Sequence, residues 1–402
     1  MVLTFEKEKD TASLIVALVI FIKILNSIVG MIMPSSVPVS LATLGLVVVI
    51  MSIHFLLNGI RATLGFWLFL AYCLFAIFFA RNLSSEFSAE QLSMFITYGL
   101  IGYFAGITHF SFRRVSKYCC YLLLAFSIPL FILLPKYVTA YDAVNMGFSY
   151  ALWPVLFVVL ANFLCYKEID NIPIRLSYIL ALFFAIVLII KGTRGGVICC
   201  LITLTFLILN RHNRNEQIKR KKQIAIIVIG FLLIVVIANF ELIINYISTI
   251  LDQFGLHINF VDKTIRLSAH GDFSNGRQEH YLAAWEGFLK SPLFGNRIGT
   301  FAAWYPIMEY PHNIFLQILF EMGVVFGAPL LFVLIKSLYI VFIGNCENED
   351  TRIALTCLVC GSIVRLFFSG VFWECPYTWM AFAIVLNEKA TKISGKRKEI
   401  QR

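Results

Sequence analysis

Three short polar motifs interrupt an otherwise apolar chain, and each carries a residue that can bind an anion or move a proton. They are Gly192-Thr193-Arg194-Gly195-Gly196, Ser274-Asn275-Gly276-Arg277 and Pro311-His312-Asn313. Arginine keeps its charge, and its planar group matches two phosphate oxygens. Histidine titrates near neutral pH and can accept a hydroxyl proton. If the three motifs lie on one side of a membrane, they predict a site for a lipid-linked anion.

Each motif also has the features of a helix start. Glycines allow a sharp turn before the helix that follows Arg194, Ser274 or Asn275 can cap a helix that ends before Ser291, and proline suits a first helical turn. Helix N-termini favour anions. Plainer interpretations stay open at this stage: an arginine that reaches lipid headgroups, a solvated surface arginine, and a structural histidine. The other histidines, among them His280, are interpreted as structural.

The elements that must position these motifs are membrane helices. The 402 residues are 59% hydrophobic and 14% charged, with a mean hydropathy of +0.83, which excludes a soluble globular protein. Apolar runs near 20 residues long predict spanning helices. The sequence predicts an all-α, polytopic membrane protein, residues 1–402 forming one integral membrane domain and residues 241–311 a large external segment between helices nine and ten. About twelve spans are predicted: 12–33, 38–57, 62–80, 91–110, 119–134, 149–165, 176–190, 197–209, 224–240, 313–342, 353–371 and 376–387.

Lysine and arginine counts predict the orientation. With a cytoplasmic N-terminus, the inner segments hold 21 of the 33 Lys and Arg residues, and the short outer loops hold 4. This asymmetry predicts that both termini are cytoplasmic and that Arg194, Arg277 and His312 face outside. The net charge of +10 then reflects topology and attraction to anionic membrane lipids, so nucleic acid is not a predicted partner.

Charged and metal-binding residues inside the apolar runs are few. Glu321 and Arg365 lie at similar predicted depths in the tenth and eleventh helices, and intramembrane charges usually have a partner, which predicts a structural ion pair between them. The ten cysteines show neither a disulfide framework nor zinc-ligand spacing. The sequence therefore predicts no metal and no cofactor.

Taken together, several motifs resemble the O-antigen ligase and polymerase superfamily. Over roughly residues 176–345, the resemblance rests on Thr193-Arg194-Gly195, Arg277 eight residues before Trp285, Pro292 with Gly295, His312-Asn313, and Glu321-x-Gly323. It implies a metal-independent, C-type membrane glycosyltransferase that acts on undecaprenyl-diphosphate-linked glycans at the periplasmic face of the bacterial inner membrane. It also implies that Arg194 and Arg277 contact the diphosphate and that His312 assists transfer.

Members of this superfamily either polymerise lipid-linked repeats or ligate the finished glycan to lipid A-core. The sequence around His312 and Glu321 more closely resembles the polymerases, with the ligase as the alternative. Partners implied are an undecaprenyl-diphosphate-linked oligosaccharide, an acceptor glycan, membrane lipids and, as a candidate, a chain-length regulator. Glycan contacts are expected from Tyr281, Trp285, Trp304, Tyr305, Tyr310 and Glu279. A lipid-saccharide transporter or flippase is the alternative of another class.

Overall fold

The computed structural model describes residues 2–32, 39–81, 86–139, 143–167, 171–191, 194–210, 240–255, 276–344 and 348–399, with single positions at 224, 228, 261, 265 and 346. Within these residues the fold is all-helical, and the only extended pairing is an isolated parallel bridge between Arg81 and Ile298. The predicted all-α class is confirmed.

The helices follow the apolar runs of the sequence, and π-helical turns interrupt three of them, at Phe95–Gly99, Asn162–Tyr166 and Val359–Ile363. In chain order they are α1 (Val2–Ile32), α2 (Val39–Asn58), α3 (Leu64–Ala80), α4 (Glu86–Met94), α5 (Leu100–Ala105), α6 (Phe112–Ala125), α7 (Ser127–Thr139), α8 (Ala143–Ala161), α9 (Ile172–Lys191), α10 (Arg194–Asn210), α11 (Phe240–Gln253), α12 (Arg277–Lys290), α13 (Thr300–Trp304), α14 (Ile314–Phe342), α15 (Glu349–Leu358), α16 (Val364–Leu366) and α17 (Pro376–Glu399).

Several of these helices are suited to crossing a membrane. Four are long and apolar enough by themselves: Lys9–Gly30, Gly147–Tyr166, Ile172–Lys191 and Ile314–Phe342. A fifth would be the pair α6 and α7, which is bent by 59°, and α2, α3 and α10 contain shorter apolar helices. These helices match eight of the predicted spans, whereas 224–240 falls almost entirely outside the described residues. The count of twelve stays a prediction.

Most buried side chains form one large core between α1, α6, α8, α14, α15 and α17. Its largest members include Trp153, Trp373, Trp379 and Tyr377, all nearly inaccessible to solvent. Close helix contacts depend on small residues: a Cβ at Gly102 of α5 would lie 2.1 Å from the carbonyl oxygen of Pro376 at the start of α17. This bundle is the rigid frame against which the polar motifs are placed.

The long helix α14 is broken at Gly323, whose φ of 62° is left-handed. Segment 292–297, which begins with a turn, fits into the break and takes over the backbone hydrogen bonds that the helix loses. The amides of Asn296 and Arg297 donate to the carbonyls of Phe320 and Glu321, at 2.7 and 2.9 Å. In the other direction, the amides of residues 324 and 325 donate to the carbonyls of residues 292 and 293, both at 2.9 Å. We call this exchange the backbone interlock.

Two glycines make the interlock possible. A Cβ at Gly295 would lie 2.5 Å from the backbone of Glu321 and Gly323, and a Cβ at Gly323 would lie 2.5 Å from the backbone of Leu293 and Gly295. Both glycines also have positive φ angles, which other residues rarely adopt. The spacing of Gly295 and Glu321-x-Gly323 therefore has a structural meaning, since these residues join segment 292–297 to α14.

A second, smaller core holds α12 and α13 against the first half of α14. It consists of Ala283, Ala284, Phe301 and Phe320, with Tyr305, Met308 and Leu316 packed around it. Gly287 of α12 lies directly against the ring of Phe320, since a Cβ there would be 2.1 Å from it. The interlock and this small core together fix α12 and α13 relative to the bundle.

Replacing Gly323 by alanine should destabilise the protein, because the new methyl group would meet backbone atoms that cannot move aside. Overpacking of this kind costs about 1–3 kcal/mol or more. We expect Gly323→Ala to lower the thermal unfolding temperature of the purified protein in detergent by several degrees. Gly45→Ala is the matched control, since a Cβ at Gly45 of α2 meets nothing within 4 Å. Equal unfolding temperatures for both variants would contradict the interlock.

Candidate active site

Helix α12 places Arg277 at its first position and His280 one turn later on the same side. The predicted end of this helix before Ser291 is confirmed, and Gly276, with φ of 76°, precedes its first turn. Ser274 and Asn275, the predicted caps, lie outside the described residues. Nδ1 of His280 lies 3.1 Å from the backbone oxygen of Tyr310, so α12 is tied to the turn that leads into α14.

That turn holds His312 in an unusual backbone conformation. Glu309 and His312 both have left-handed φ angles, 55° and 56°, which are uncommon outside glycine and occur mainly in turns. The next residue, Asn313, caps α14 by accepting hydrogen bonds from the amides of Phe315 and Leu316, at 3.0 and 3.2 Å. The His312 side chain is thereby held between a tight turn and a fixed helix start.

Aromatic and cationic groups surround the His312 ring. Its centroid lies 4.2 Å from that of Tyr310 and 4.9 Å from that of His280. Burial lowers the pKa of His312 to about 4 from its ordinary value of 6.5, and the positive charge of Arg277 and the His280 ring act in the same direction. The backbone carbonyl of Phe368 has the opposite, weaker effect. His312 is therefore neutral at pH 7 and available as a hydrogen-bond acceptor.

The N-terminus of α10 approaches the same region from another side. Arg194 is the first residue of this helix, and its side chain, like Gly192 and Thr193, lies outside what the structure describes. A Cβ at Gly195 would lie 3.0 Å from the hydroxyl of Tyr150 and 3.6 Å from Cβ of Phe368. A Cβ at Gly196 would overlap the indole of Trp153, 2.2 Å from its Nε1. The two glycines let the helix start pack directly on α8.

The segment 365–370, which follows the π-helical turn after α15, joins the two halves of the site. Phe368 contacts the start of α10 through its side chain and lies beside His312 through its backbone. Next to it, the Ser369 hydroxyl is 3.2 Å from the Tyr310 hydroxyl. The structure thus brings the helix start at Arg194, His312 and the charge of Arg277 into one region at the end of the bundle.

The other predicted glycan contacts lie further out. Trp285 and Trp304 are each 46% exposed, and Glu279 is exposed in the first turn of α12. Tyr281 is half-buried, and Tyr305 packs against the small core. Among these aromatic residues only Tyr310 contacts His312. The glycan role of the whole set remains a prediction.

The predicted ion pair between Glu321 and Arg365 is wrong. The Glu321 carboxylate instead accepts hydrogen bonds from Trp373 Nε1 at 2.8 Å and from Gln317 Nε2 at 3.2 Å. Arg365 lies over the ring of Tyr150, 4.8 Å from its centroid, and forms no salt bridge with the described residues. Similar depth in two helices was not enough to predict an ion pair. The break at Gly323 and the loop carrying Trp373 instead give Glu321 neutral hydrogen-bond donors.

Sequence reasoning missed three neighbours of the site: His280, Tyr150 and Trp153. The spacing of three residues between Arg277 and His280 was a usable signal, since such residues share a helix face. Tyr150 and Trp153 gave no signal, because aromatic residues in an apolar helix are ordinarily core residues. Within the described part of the chain, no three His, Cys, Asp or Glu side chains cluster as metal ligands would.

Fold and site define a helical membrane protein with a cationic, histidine-containing site where several helices end. Comparison with protein families identifies the class further, since residues 179–332 match the family model described as O-antigen ligase. The match confirms the resemblance to the O-antigen ligase and polymerase superfamily, and it contains Arg194, Arg277 and His312 but not Arg365. No curated protein matches the chain.

The low pKa of His312 predicts a pH-dependent stability. Between about pH 6.5 and pH 4 His312 is protonated in the unfolded chain but not in the folded protein. The free energy of unfolding therefore falls as the pH falls through this range. His312→Asn, a residue that tolerates a positive φ, should weaken this dependence. Thermal unfolding at pH 7 and pH 4.5 measures it. An equally steep loss in variant and wild type would refute the assignment.

Glu321→Gln should lower stability, because a glutamine amide cannot accept hydrogen bonds from both Trp373 and Gln317 as the carboxylate does. Leaving one buried donor unpaired costs about 1–3 kcal/mol. The charge-reversed double variant Glu321→Arg with Arg365→Glu should be no more stable than its single variants. Glu286→Gln, on the exposed face of α12, is the control. If the double variant recovered the wild-type unfolding temperature, the result would support the ion pair between Glu321 and Arg365 after all.

Proposed function

We propose that the protein is an O-antigen polymerase, a glycosyltransferase that joins undecaprenyl-diphosphate-linked oligosaccharide repeats at the periplasmic face of the bacterial inner membrane. The observation that carries the proposal is the convergence of Arg277, His312 and the helix start at Arg194 around Phe368. The O-antigen ligase family match over residues 179–332 supports the same chemistry.

In the proposed reaction, Arg194 and Arg277 bind the diphosphate of the donor. An acceptor hydroxyl oxygen forms a bond to the anomeric carbon as the bond from that carbon to the phosphate oxygen breaks. The electron pair remains on the diphosphate, where arginine and the N-terminus of α10 stabilise it. Such stabilisation grows with the charge on the leaving oxygen, so it favours the transition state over the bound substrate.

His312 is proposed to receive the hydroxyl proton or to orient the acceptor. Its depressed pKa keeps it neutral before substrate binds. A bound diphosphate would offset the charge of Arg277, raising the basicity of the ring when a proton must be accepted. The exposed Trp285 and Trp304 would contact sugars, and no metal or other cofactor takes part in this scheme.

The membrane arrangement belongs to the same proposal: a single membrane domain with about twelve spans, both termini cytoplasmic and residues 241–311 periplasmic. The excess of Lys and Arg in the predicted inner segments supports it. In this arrangement α14 crosses the membrane once, so that His312, before its first residue, is periplasmic and residues 348–351, after its last residue, are cytoplasmic. Expected partners are the lipid-linked donor, a second lipid-linked repeat as acceptor, membrane lipids and a chain-length regulator.

A ligase is the second candidate, because the matching family model is described as O-antigen ligase. It would transfer the finished glycan to lipid A-core through the same donor site. The two activities differ in the acceptor rather than in the diphosphate site, so the residues around His312 serve either one.

Deleting the gene and complementing it with variants tests the proposal. Arg194→Ala, Arg277→Ala and His312→Ala should each reduce long-chain lipopolysaccharide by about 10²–10³-fold at equal expression, the usual effect of removing such a group. Arg175→Ala, at an exposed arginine in the first turn of α9, is the control. Lipopolysaccharide gels supply the measurement: core with a single repeat indicates a polymerase, and core alone with accumulated lipid-linked chains indicates a ligase.

Full activity of the three alanine variants would refute the proposed site. A flippase would be distinguished by the purified protein in detergent, where no second compartment exists. Conversion of a lipid-linked glycan under these conditions supports a transferase, and the absence of any conversion by an intact wild-type protein favours transport.

A further inference from the structure

Buried hydrogen-bond donors gather around the start of α10 without an acceptor. Arg365 is 4% exposed, and its Nε and Nη2 atoms are buried with no hydrogen-bond partner. Trp153 is 2% exposed, and its Nε1 is likewise buried and unpartnered. Buried donors in native proteins nearly always have partners, so a cluster of unpaired ones calls for an explanation.

The two donor side chains point to the same helix end. Tyr150 and Trp153 are three residues apart, so they share a face of α8. Arg365 covers the Tyr150 ring, and the Tyr150 hydroxyl lies against Gly195. Trp153 Nε1 lies against Gly196, the next residue of α10. The Arg365 guanidinium and the Trp153 indole therefore flank the first turn of α10 on the side where it meets α8.

Packing around Arg365 keeps its guanidinium in place. Gly370, with φ of 100°, lies so close that a Cβ there would be 3.1 Å from Nη2 of Arg365. On the other side, the charge of Arg365 acts electrostatically on Tyr310. The Tyr310 ring in turn lies beside the His312 ring. Arg365 thus lies between the start of α10 and His312, the two parts of the proposed active site.

No described carboxylate forms a salt bridge with this arginine. Glu321 is bonded to Trp373 and Gln317, and Glu374 lies close enough to act on Arg365 electrostatically but forms its salt bridge with Lys23, at 3.3 Å. An unpaired buried charge is costly, and charged residues within membrane segments ordinarily have a partner or a function. The cost is met if the partner is an anion that arrives with the substrate.

The chemistry of the cluster selects the anion. The indole of Trp153 and the guanidinium of Arg365 are both donors, so they cannot bond to one another, and the first turn of α10 adds the positive end of a helix dipole. Water would supply two lone pairs and no charge. A phosphate group supplies several oxygen acceptors with negative charge, and both helix N-termini and arginine bind it well.

We infer that Arg365 and Trp153 bind a phosphate of the lipid-linked donor together with the first turn of α10. The inference rests on the proposed function and adds a buried third arginine to the diphosphate site, on α16 and outside the stretch that matches the family model. Arg365 stabilises the charge that stays on the phosphate oxygen when the glycosidic bond breaks. Trp153 donates one neutral hydrogen bond from the α8 side.

Binding of undecaprenyl diphosphate and of undecaprenol to the full-length protein in detergent, measured by native mass spectrometry, tests the inference. Arg365→Gln should weaken binding of the diphosphate at least about 10-fold, the usual effect of losing a charge-assisted hydrogen bond, and leave binding of undecaprenol unchanged. Arg365→Lys should lose part of the affinity, because an ammonium lacks the planar fork. Trp153→Phe should weaken binding of the diphosphate by a few-fold and leave binding of undecaprenol unchanged.

Arg352→Gln is the matched control. Arg352 is also 4% exposed, but it lies thirteen residues earlier, about 20 Å along the same helical run, and donates to the carbonyl of Cys346. The Arg352→Gln variant should bind undecaprenyl diphosphate and undecaprenol as the wild type does. Thermal unfolding of each variant confirms that it is folded. If Arg365→Gln does not fold, Arg365→Lys and Trp153→Phe carry the test.

The outcomes separate this inference from the proposed function. If the Arg365 and Trp153 variants bind the diphosphate as tightly as the wild type, and Arg277→Ala weakens that binding, the inference is overturned and the proposed function stands. An equal loss for both ligands indicates a structural role and also overturns it. A wild-type protein that binds the diphosphate no better than undecaprenol overturns the proposed function together with the inference.

Discussion

The site depends on the backbone interlock at Gly323. Without the break, α14 would continue as one regular helix, and the segment 292–297 would have no place to bind. With it, four backbone hydrogen bonds join segment 292–297 to the helix that His312 precedes. Because those bonds are between backbone groups, they give a fixed geometry that contacts between mobile side chains would not provide.

Around this frame, electrostatics divide the work among a few groups. Burial and the nearby Arg277 keep His312 neutral, while the first turn of α10 contributes the positive end of its helix dipole. These are favourable arrangements only for an anionic ligand. In a poorly hydrated region each such interaction is stronger than in water, and each unpaired group is correspondingly costly.

Much of this arrangement could be predicted from the sequence, and the reasons for the failures are specific. The starts of α10 and α12, and Asn313 before α14, follow from local signals, so the positions of Arg194, Arg277 and His312 on their helices were predictable. The partners of Glu321 were not, since Trp373 is 52 residues away and reaches it only through the turn before α17.

Long-range packing also explains the other surprises. His280 looked like an ordinary structural histidine, and it does bond to a backbone oxygen, but the left-handed turn at Glu309 and His312 folds back so that the two imidazoles meet. Tyr150 and Trp153 belong to a helix that is apolar throughout. Only the approach of Gly195 and Gly196 distinguishes them from core residues, and no local pattern records that approach.

The small core between α14 and the helices α12 and α13 separates two kinds of position on those helices. Ala283, Ala284, Phe301 and Phe320 hold α12 and α13 from below, whereas Trp285, Trp304 and Ile307 point outward and belong to neither core. Substitutions at such exposed positions usually change stability by less than about 0.5 kcal/mol. The outward-facing side of α12 and α13 is therefore free to vary during evolution, while the packing that holds the two helices on α14 stays as it is.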